Sequence, residues 1–247
     1  MRRVQVIEVL SRAEQGRTQP FLCRCDDEAT YYVKGQSAGR KGLVAELICA
    51  QLAKALGLPV PESVIADVPE ELVSEATVSG PVLKELGPGP AFGSRVVQAV
   101  EFTNAHRDAV GRDLAERVAV FDWWIGNGDR TLTPLGGNVN LLWQVQPLDG
   151  LVVIDHNLAF TDFDRKLFLQ THVFAEQLER VRTDVDACNL WVARFSSALQ
   201  RWPAVRDAIP PEWHFIDAEQ TLPSNLNVDS IKAMLDRCAE PDFWTLS

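Results

Sequence analysis

The chain has 247 residues, of which 46% are hydrophobic and 23% are charged, and its formal net charge is −10. These proportions are those of soluble globular proteins, so they exclude collagen-like, low-complexity and wholly disordered chains. The acidic charge argues against binding to a nucleic-acid backbone, and the apolar runs are far shorter than the roughly 20 residues that a membrane span needs.

The N-terminus and the cysteines both indicate a cytoplasmic protein. Charged residues such as Glu8 and Arg12 interrupt any apolar region that could follow the basic start of a signal peptide. The five cysteines are an odd and scattered set, as expected of reduced thiols. Cys23 and Cys25 are interpreted as strand residues on one face, because no second Cys or His pair accompanies them as metal ligands would require.

The first part of the chain is predicted to form a sheet with one helix. Apolar runs bounded by turn residues indicate strands over 4–10, 21–25, 30–34, 62–68 and 94–100. Between 42 and 56 the apolar residues recur every third or fourth position, which indicates a helix that ends at Gly57. The Gly- and Pro-rich residues 80–93 are expected on the surface.

The second part is predicted to be mostly helical. A helix over 108–125 precedes Gly126-Asn127-Gly128, and two apolar runs, 141–145 and 151–154, form a hairpin. Helical spacing then returns in three segments, 173–181, 187–199 and 228–235. The pattern predicts an α+β protein with two domains, 1–103 and 104–247.

Glu46 is the first candidate for a functional residue. Its neighbours three and four positions away in the predicted helix are uncharged, so it does not belong to a solvated stripe and needs a cationic partner. Lys34, which ends the third strand, is the nearest candidate. A lysine held by a helix glutamate grips the nucleotide's α- and β-phosphates in protein kinases, although an ordinary structural ion pair would have the same sequence pattern.

A second candidate site lies around the predicted hairpin. If the turn is centred between Pro147 and Leu148, then Asn140 and Asp155 lie opposite each other at a common strand end. An amide oxygen and a carboxylate there suit Mg²⁺ that carries phosphates. Asp129, in the loop just before, could orient a hydroxyl group, although Gly-Asn-Gly-Asp by itself is also typical of a plain turn.

The histidines do not indicate a hydrolase or a zinc enzyme. They are scattered at 106, 156, 172 and 214, and neither Gly-x-Ser-x-Gly nor His-Glu-x-x-His occurs in the sequence. His156 is expected to pack or to form a hydrogen bond beside Asp155.

Taken in order, these motifs resemble the HipA-like kinases, distant relatives of the phosphatidylinositol kinases. The resemblance covers roughly residues 10–160 and rests on Tyr32-Val33-Lys34-Gly35, Glu46, Ile125-Gly126-Asn127-Gly128-Asp129-Arg130, Gly137-Asn138-Val139-Asn140-Leu141-Leu142-Trp143 and Val153-Ile154-Asp155-His156. It implies a two-lobed protein-kinase-like fold, with an N-terminal antiparallel sheet and one helix, and a mostly helical C-terminal lobe.

The resemblance also implies a role for each candidate residue, with ATP and Mg²⁺ as cofactors. Lys34 would hold the phosphates and Glu46 would orient it, Asp129 would be the catalytic aspartate, and Asn140 and Asp155 would bind Mg²⁺. Gly16, Arg17 and Thr18 would lie in the phosphate-covering loop. The family places its metal-binding asparagine about five residues after the catalytic aspartate, whereas Asn140 follows Asp129 by eleven, so Asn138 is an alternative ligand.

These roles imply an ATP- and Mg²⁺-dependent phosphotransferase that acts on a hydroxyl group, with a serine or threonine of a protein substrate as the expected acceptor. Two alternatives stay open. The chain could phosphorylate a small molecule or a lipid headgroup, or it could be an inactive nucleotide-binding pseudokinase that serves as an interaction module.

Overall fold

The structure, a computed structural model, describes residues 1–13, 19–74, 80–133, 136–145, 150–217 and 219–246. The chain forms two compact units. The first contains Met1–Leu47, Pro61–Val97 and Asp207–Leu226, and the second contains Ile48–Val60, Gln98–Arg206 and Asn227–Ser247. The predicted division into 1–103 and 104–247 stays a prediction; in the structure, residues 48–60 group with the second unit and residues 207–226 with the first.

Five strands of the first unit close into a barrel. They are β1 (Arg3–Arg12), β2 (Phe21–Cys25), β3 (Thr30–Lys34), β4 (Ser63–Val68) and β5 (Gly89–Arg95). Their order around the barrel is β1-β2-β3-β5-β4, and neighbouring strands are antiparallel except β1 and β4, which run parallel. The predicted antiparallel sheet is therefore a closed barrel, in which each of these strands has a neighbour on both sides.

The inside of the barrel is apolar, because alternate residues of each strand point inward. Cys23 and Cys25 are two residues apart on β2, and both are buried as free thiols. The interpretation of these cysteines as strand residues on one face is confirmed. The other buried side chains of this core are Val4, Val6, Phe21, Tyr31, Val33, Val64, Ala66, Val68, Leu83, Leu86 and Ala91.

The α-helices that the described residues form between the strands of the barrel are α1 (Gly39–Ala55), α2 (Glu70–Ser74) and α3 (Gly80–Leu86). The predicted helix over 42–56 corresponds to α1, which is followed by Gly57 with a positive φ of 71°. Hydrogen bonds join residues 207–226 to this unit. Trp213 Nε1 donates to the carbonyl oxygen of Pro90 at 2.9 Å, and Arg40 Nε donates to that of Phe215 at 2.9 Å.

Residues 80–93, which are expected on the surface, contain α3 and most of β5, and Leu83, Leu86, Ala91 and Phe92 among them are buried. β5 lies between β3 and β4 in the barrel. Gly93 permits close packing at this point, because a Cβ atom there would lie 2.8 Å from Val64 Cγ2. The predicted strand over 94–100 is wrong, because β5 already ends at Arg95. The glycines and proline of β5 are uncommon in strands, so its sequence does not show the usual strand pattern.

The second unit has a three-stranded antiparallel sheet with β7 in the middle. Its strands are β6 (Ala99–Glu101), β7 (Leu141–Gln144) and β8 (Gly150–Val153). The helices that follow β6 are α4 (Asn104–Arg107), α5 (Arg112–Ile125), α6 (Arg165–Thr171), α7 (Ala175–Arg182), α8 (Val185–Leu199), α9 (Trp202–Asp207) and α10 (Val228–Asp236). The predicted α+β composition is confirmed. Within the described ranges, no helix combines the length and the apolar character that crossing a membrane requires.

α5 leads directly into the Gly-Asn-Gly-Asp-Arg motif. The helix begins at Arg112 rather than at the predicted residue 108, because the separate helix α4 and its C-terminal turn occupy the residues before it. It ends at Ile125, and Gly126, which follows, has a left-handed φ of 64°. A Cβ atom at Gly126 would also lie only 3.1 Å from the main-chain carbonyl oxygen of Thr161, so both conformation and space favour glycine. This sharp end sets the direction of the loop that carries Asp129.

Candidate active site

The first unit contains the predicted ion pair between a strand lysine and a helix glutamate. Lys34 is the last residue of β3, and Glu46 lies within α1. Lys34 Nζ donates to Glu46 Oε1 at 2.5 Å, and the two side chains are only 11% and 4% exposed. A carboxylate so deeply buried needs a cationic partner, and the pairing fixes the direction of the lysine side chain. The predicted ion pair is confirmed.

The second unit contains a buried polar network centred on Asp122 of α5. Asp122 accepts hydrogen bonds from Arg130 Nε at 2.6 Å, from Asn127 Nδ2 at 2.9 Å and from His172 Nε2 at 2.9 Å. The side chains of Asp122 and Arg130 have no exposed surface. A carboxylate has about four acceptor positions, and Arg130 Nη2 adds a fourth donor at 3.4 Å. The buried charge is therefore well satisfied by its neighbours.

The hydrogen bonds of His172 define its tautomer. Its Nδ1 accepts a hydrogen bond from the backbone N–H of Phe174 at 3.1 Å, so Nδ1 carries no proton. Nε2 must then be the protonated nitrogen that donates to Asp122. The ring also stacks on Phe168, with 4.4 Å between ring centroids. Both ring nitrogens are satisfied only while the imidazole is neutral, because a proton on Nδ1 would break the bond to Phe174.

The pKa values of Asp122 and His172 shift in the directions that this network requires. Burial by itself raises the pKa of Asp122, but the charge of Arg130 and the hydrogen bonds from His172 and Arg130 outweigh it and hold that pKa below the ordinary value of 3.8. Burial lowers the pKa of His172 below its ordinary value of 6.5, although its bond to Asp122 partly opposes this.

We expect the stability of the protein to fall at acidic pH in two steps. Below about pH 6.5 the unfolded chain protonates His172 more readily than the folded protein does, and below about pH 4 the same holds for Asp122. Each proton that only the unfolded state binds lowers the free energy of unfolding by up to about 1.4 kcal/mol per pH unit. Urea denaturation from pH 8 to pH 3 measures the free energy of unfolding of the wild type, of His172→Gln and of the control His214→Gln, which replaces an exposed histidine. His172→Gln should flatten the decline between pH 7 and 5; an equal decline in all three proteins would contradict the assignment.

Arg130 joins this network to the ends of the β7–β8 hairpin. Its Nη1 donates to the main-chain carbonyl oxygen of Asn140 and, at 3.1 Å, to that of Ile154. Asn140 and Asp155 both have positive φ angles, 48° and 57°. Asparagine and aspartate adopt this left-handed conformation more readily than other residues with side chains, so the backbone alone gives a structural reason for these residue types.

Asp129 lies beside two asparagine side chains. Its Oδ2 accepts hydrogen bonds from Asn138 Nδ2 at 2.6 Å and from Asn140 Nδ2 at 3.1 Å. Because a carboxylate only accepts, both asparagines must point their NH₂ groups towards it, which leaves their carbonyl oxygens for other partners. Burial raises the pKa of Asp129; the bond from Asn140 lowers it, and the negative charge of Asp155 raises it further. Asp129, Asn138, Asn140 and Asp155 therefore form one polar cluster.

The predicted register of the hairpin is wrong by one residue. Leu141 pairs with Val153, so the next position outward is Ile154, whose N–H donates to the carbonyl oxygen of Asn140 at 3.2 Å. Asp155 is therefore not directly opposite Asn140. Side chains one residue apart on a regular strand point to opposite faces, but the left-handed backbone at both Asn140 and Asp155 departs from regular strand geometry. Asp155 still contributes its charge to the surroundings of Asp129.

The structure describes Asn138 but not the predicted phosphate-loop residues Gly16, Arg17 and Thr18. Gly16, Arg17 and Thr18, predicted for the phosphate-covering loop, lie outside the described residues. Asn138, the alternative metal ligand, lies in the same cluster as Asn140 and contacts the same oxygen of Asp129.

A family model described as HipA-like kinase matches residues 6–247. The chain belongs to the HipA-like kinase family. It is therefore a kinase, as the resemblance of its motifs predicted, and its match extends well beyond the region 10–160 in which those motifs occur.

Two solved kinase structures are similar to this HipA-like kinase. One is a proinflammatory kinase, CtkA, from Helicobacter pylori, with 12% identity, a TM-score of 0.45, and coverage of 94% of this chain and 91% of that one. The other is a Golgi casein kinase with Mn and ADP bound, with 14% identity, a TM-score of 0.46, and coverage of 100% of this chain and 72% of that one. No match to the chain is found among curated proteins.

The network of Asp122, Arg130 and His172 in this HipA-like kinase was not predicted from the sequence. One signal was present: Asp122 lies among apolar residues of a predicted helix, as Glu46 does, and a lone acid in such a position needs a partner. Arg130 is only eight positions away, but it lies beyond the end of the predicted helix, and His172 is 50 positions away along the chain, so neither partner follows from the helical pattern.

His156 follows Asp155 and is buried. Its ring packs edge-on against Phe121 of α5, with 5.7 Å between centroids and an interplanar angle of 80°. This agrees with the expectation that His156 packs beside Asp155. No group of three or more His, Cys, Asp or Glu side chains suited to a metal ion occurs among the residues that the structure describes.

Proposed function

We propose that this HipA-like kinase transfers the terminal phosphoryl group of ATP to a hydroxyl group in a Mg²⁺-dependent reaction, with a serine or threonine of a protein as the acceptor. The observation that carries the proposal is the cluster at the hairpin end, where Asp129 lies beside Asn140 and close to the charge of Asp155. A small molecule or lipid headgroup offers the same hydroxyl chemistry, so these acceptors are outcomes of the test.

The donor groups of the cluster fit Mg²⁺, which prefers oxygen ligands. Asn140 directs its amide nitrogen to Asp129, so its carbonyl oxygen is the atom that suits a cation. Asp155 adds a carboxylate. We propose Asn140 and Asp155 as the protein's metal ligands, with Asn138 as the alternative to Asn140. When bound, Mg²⁺ neutralises charge on the phosphate oxygens.

Asp129 is proposed as the residue that orients the acceptor hydroxyl. The two asparagine amides both donate to Oδ2, and no donor to Oδ1 is found among the described residues. Oδ1 is therefore suited to accept the hydrogen of an acceptor hydroxyl, which aligns its oxygen for attack and receives its proton. The hydrogen bonds on Oδ2 fix the carboxylate plane before the acceptor binds.

Lys34 is proposed to hold the ATP phosphates, and Glu46 to orient Lys34. Tyr32 supports the use of this face for a nucleotide, because residues two apart on a strand point the same way and Tyr32 is 41% exposed. Leu22, on the adjacent strand β2, is the cross-strand neighbour of Tyr32. An exposed aromatic and apolar surface next to the ammonium group of Lys34 suits a nucleotide, which combines an aromatic base with charged phosphates. Gly16, Arg17 and Thr18 stay predicted contributors on the strength of the sequence.

We expect ATP with Mg²⁺ to stabilise the wild-type protein by about 2.7 kcal/mol at a hundredfold excess over its dissociation constant. Lys34→Met removes the proposed phosphate contact. If affinity falls tenfold, the same ATP concentration stabilises the variant by only about 1.4 kcal/mol relative to its own ligand-free state. Thermal or urea unfolding with and without ligand measures both values.

Lys84→Met is the matched control, because Lys84 is an exposed lysine of the same unit. It should keep the full wild-type stabilisation. No stabilisation of the wild type by millimolar Mg²⁺-ATP would contradict nucleotide binding, and an unreduced effect in Lys34→Met would remove Lys34 from the phosphate site.

A further inference from the structure

The guanidinium nitrogens of Arg130 form hydrogen bonds with two separate sets of acceptors. Nε and Nη2 face the carboxylate of Asp122, at 2.6 and 3.4 Å. Nη1 faces the main-chain carbonyl oxygens of Asn140 and Ile154. The pairing of charges with Asp122 is complete without Nη1. The contacts of Nη1 therefore need an explanation other than neutralising the buried carboxylate.

These contacts hold the backbone next to both proposed metal ligands. Asn140 is one ligand, and Ile154 immediately precedes the other, Asp155. Both ligands have left-handed backbones, with φ of 48° and 57°, which is an uncommon conformation that needs support from surrounding contacts. Arg130 supplies such support from a side chain with no exposed surface. Its planar guanidinium is held by Asp122, so Nη1 has a fixed position.

We propose that Arg130 is a positioning residue that sets the placement of Asn140 and Asp155 for the divalent cation. The inference rests on the proposed function, since it concerns the same metal site. Partners that orient metal ligands without touching the metal typically change metal affinity or activity 10- to 100-fold when they are lost. A lysine at position 130 would keep a positive charge for Asp122 but would lack the fork that reaches both carbonyl oxygens.

The test measures metal affinity without turnover. Mn²⁺ is titrated into each protein in the presence of an ATP analogue with a non-hydrolysable imido bridge, and the electron paramagnetic resonance signal of free Mn²⁺, compared with a titration of the analogue alone, gives the dissociation constant. The analogue's affinity is measured separately without metal. Arg130→Lys should weaken Mn²⁺ binding by about 10- to 100-fold and leave the metal-free affinity for the analogue unchanged.

A second variant guards against loss of the fold. The double variant Asp122→Asn with Arg130→Gln removes both buried charges together, and replacing both partners of a buried pair is better tolerated than removing one. It should show the same loss of Mn²⁺ affinity. Failure of both variants to fold, judged by circular dichroism, would assign Arg130 to the core alone and overturn the proposal.

Arg165→Gln is the matched control. Arg165 also uses Nη1 to contact main-chain carbonyl oxygens in the second unit, including that of Phe243 at 2.9 Å, but it touches neither strand end. Its Mn²⁺ affinity should equal that of the wild type. Asp155→Asn is the reference for loss of a ligand. If Asp155→Asn binds Mn²⁺ as the wild type does, the metal site itself is wrong; if only Asp155→Asn is impaired and both Arg130 variants are not, the positioning role alone is wrong.

Discussion

Asp129→Asn should lower kcat by about 10²- to 10⁴-fold, the usual contribution of a positioned acid or base. The affinity for ATP should stay close to that of the wild type, because the proposed role of Asp129 concerns the acceptor rather than the nucleotide. An asparagine at this position can still accept both amide bonds of Asn138 and Asn140 at its single carbonyl oxygen, so the local structure should be kept. A loss confined to kcat is the mark of an interaction made in the transition state.

ATP turnover and ATP affinity are measured for the wild type, Asp129→Asn and the control Asp108→Asn. Asp108 is an exposed carboxylate of the same unit, so its replacement should leave both values unchanged. If Asp129→Asn keeps full turnover, Asp129 does not orient the acceptor. If it loses ATP affinity in proportion to turnover, its role lies in nucleotide binding instead.

Asp122→Ala should lower the free energy of unfolding by about 3–5 kcal/mol. The substitution leaves the charge of Arg130 in a site with no exposed surface, and it also removes the acceptor for His172 Nε2 and Asn127 Nδ2. Buried donors left without partners add to the loss. This is a large part of the total stability of a typical domain.

The matched control is Asp236→Ala, which breaks the exposed pair between Lys232 and Asp236 on α10. Exposed pairs four residues apart on a helix contribute only about 0.3–0.5 kcal/mol. Urea denaturation at pH 7 compares the two variants with the wild type. A loss below about 1 kcal/mol in Asp122→Ala would show that the network does not stabilise the second unit.

The sequence predicted best where local pattern and turn residues agree. β2 and β3 have the predicted bounds, because each is a short apolar run closed by polar turn residues. The ion pair of Lys34 and Glu46 was also predictable, since a lone acid on an apolar helix face needs a partner on an adjoining element. In both cases the decisive information lies within a few tens of residues.

Prediction failed where the deciding contact is distant along the chain. β5 contains Gly89 and Gly93, which weaken a strand pattern, yet Gly93 is what the packing against Val64 requires. The hairpin register depends on turn geometry, which apolar runs do not specify to one residue. Asp122 and His172 meet only in the folded structure, so no local pattern relates them.

Transfer of the terminal phosphoryl group tests the central proposal most directly. The wild type is incubated with Mg²⁺ and ATP labelled in the γ-phosphate, together with a cell extract, and the label is followed in protein, lipid and small-molecule fractions. We expect labelled phosphoserine or phosphothreonine that is absent with Asp129→Asn, whereas label in another fraction would reassign the acceptor. A wild type that binds ATP but labels no fraction, does not label itself and releases no ADP would contradict the account and identify an inactive nucleotide-binding protein.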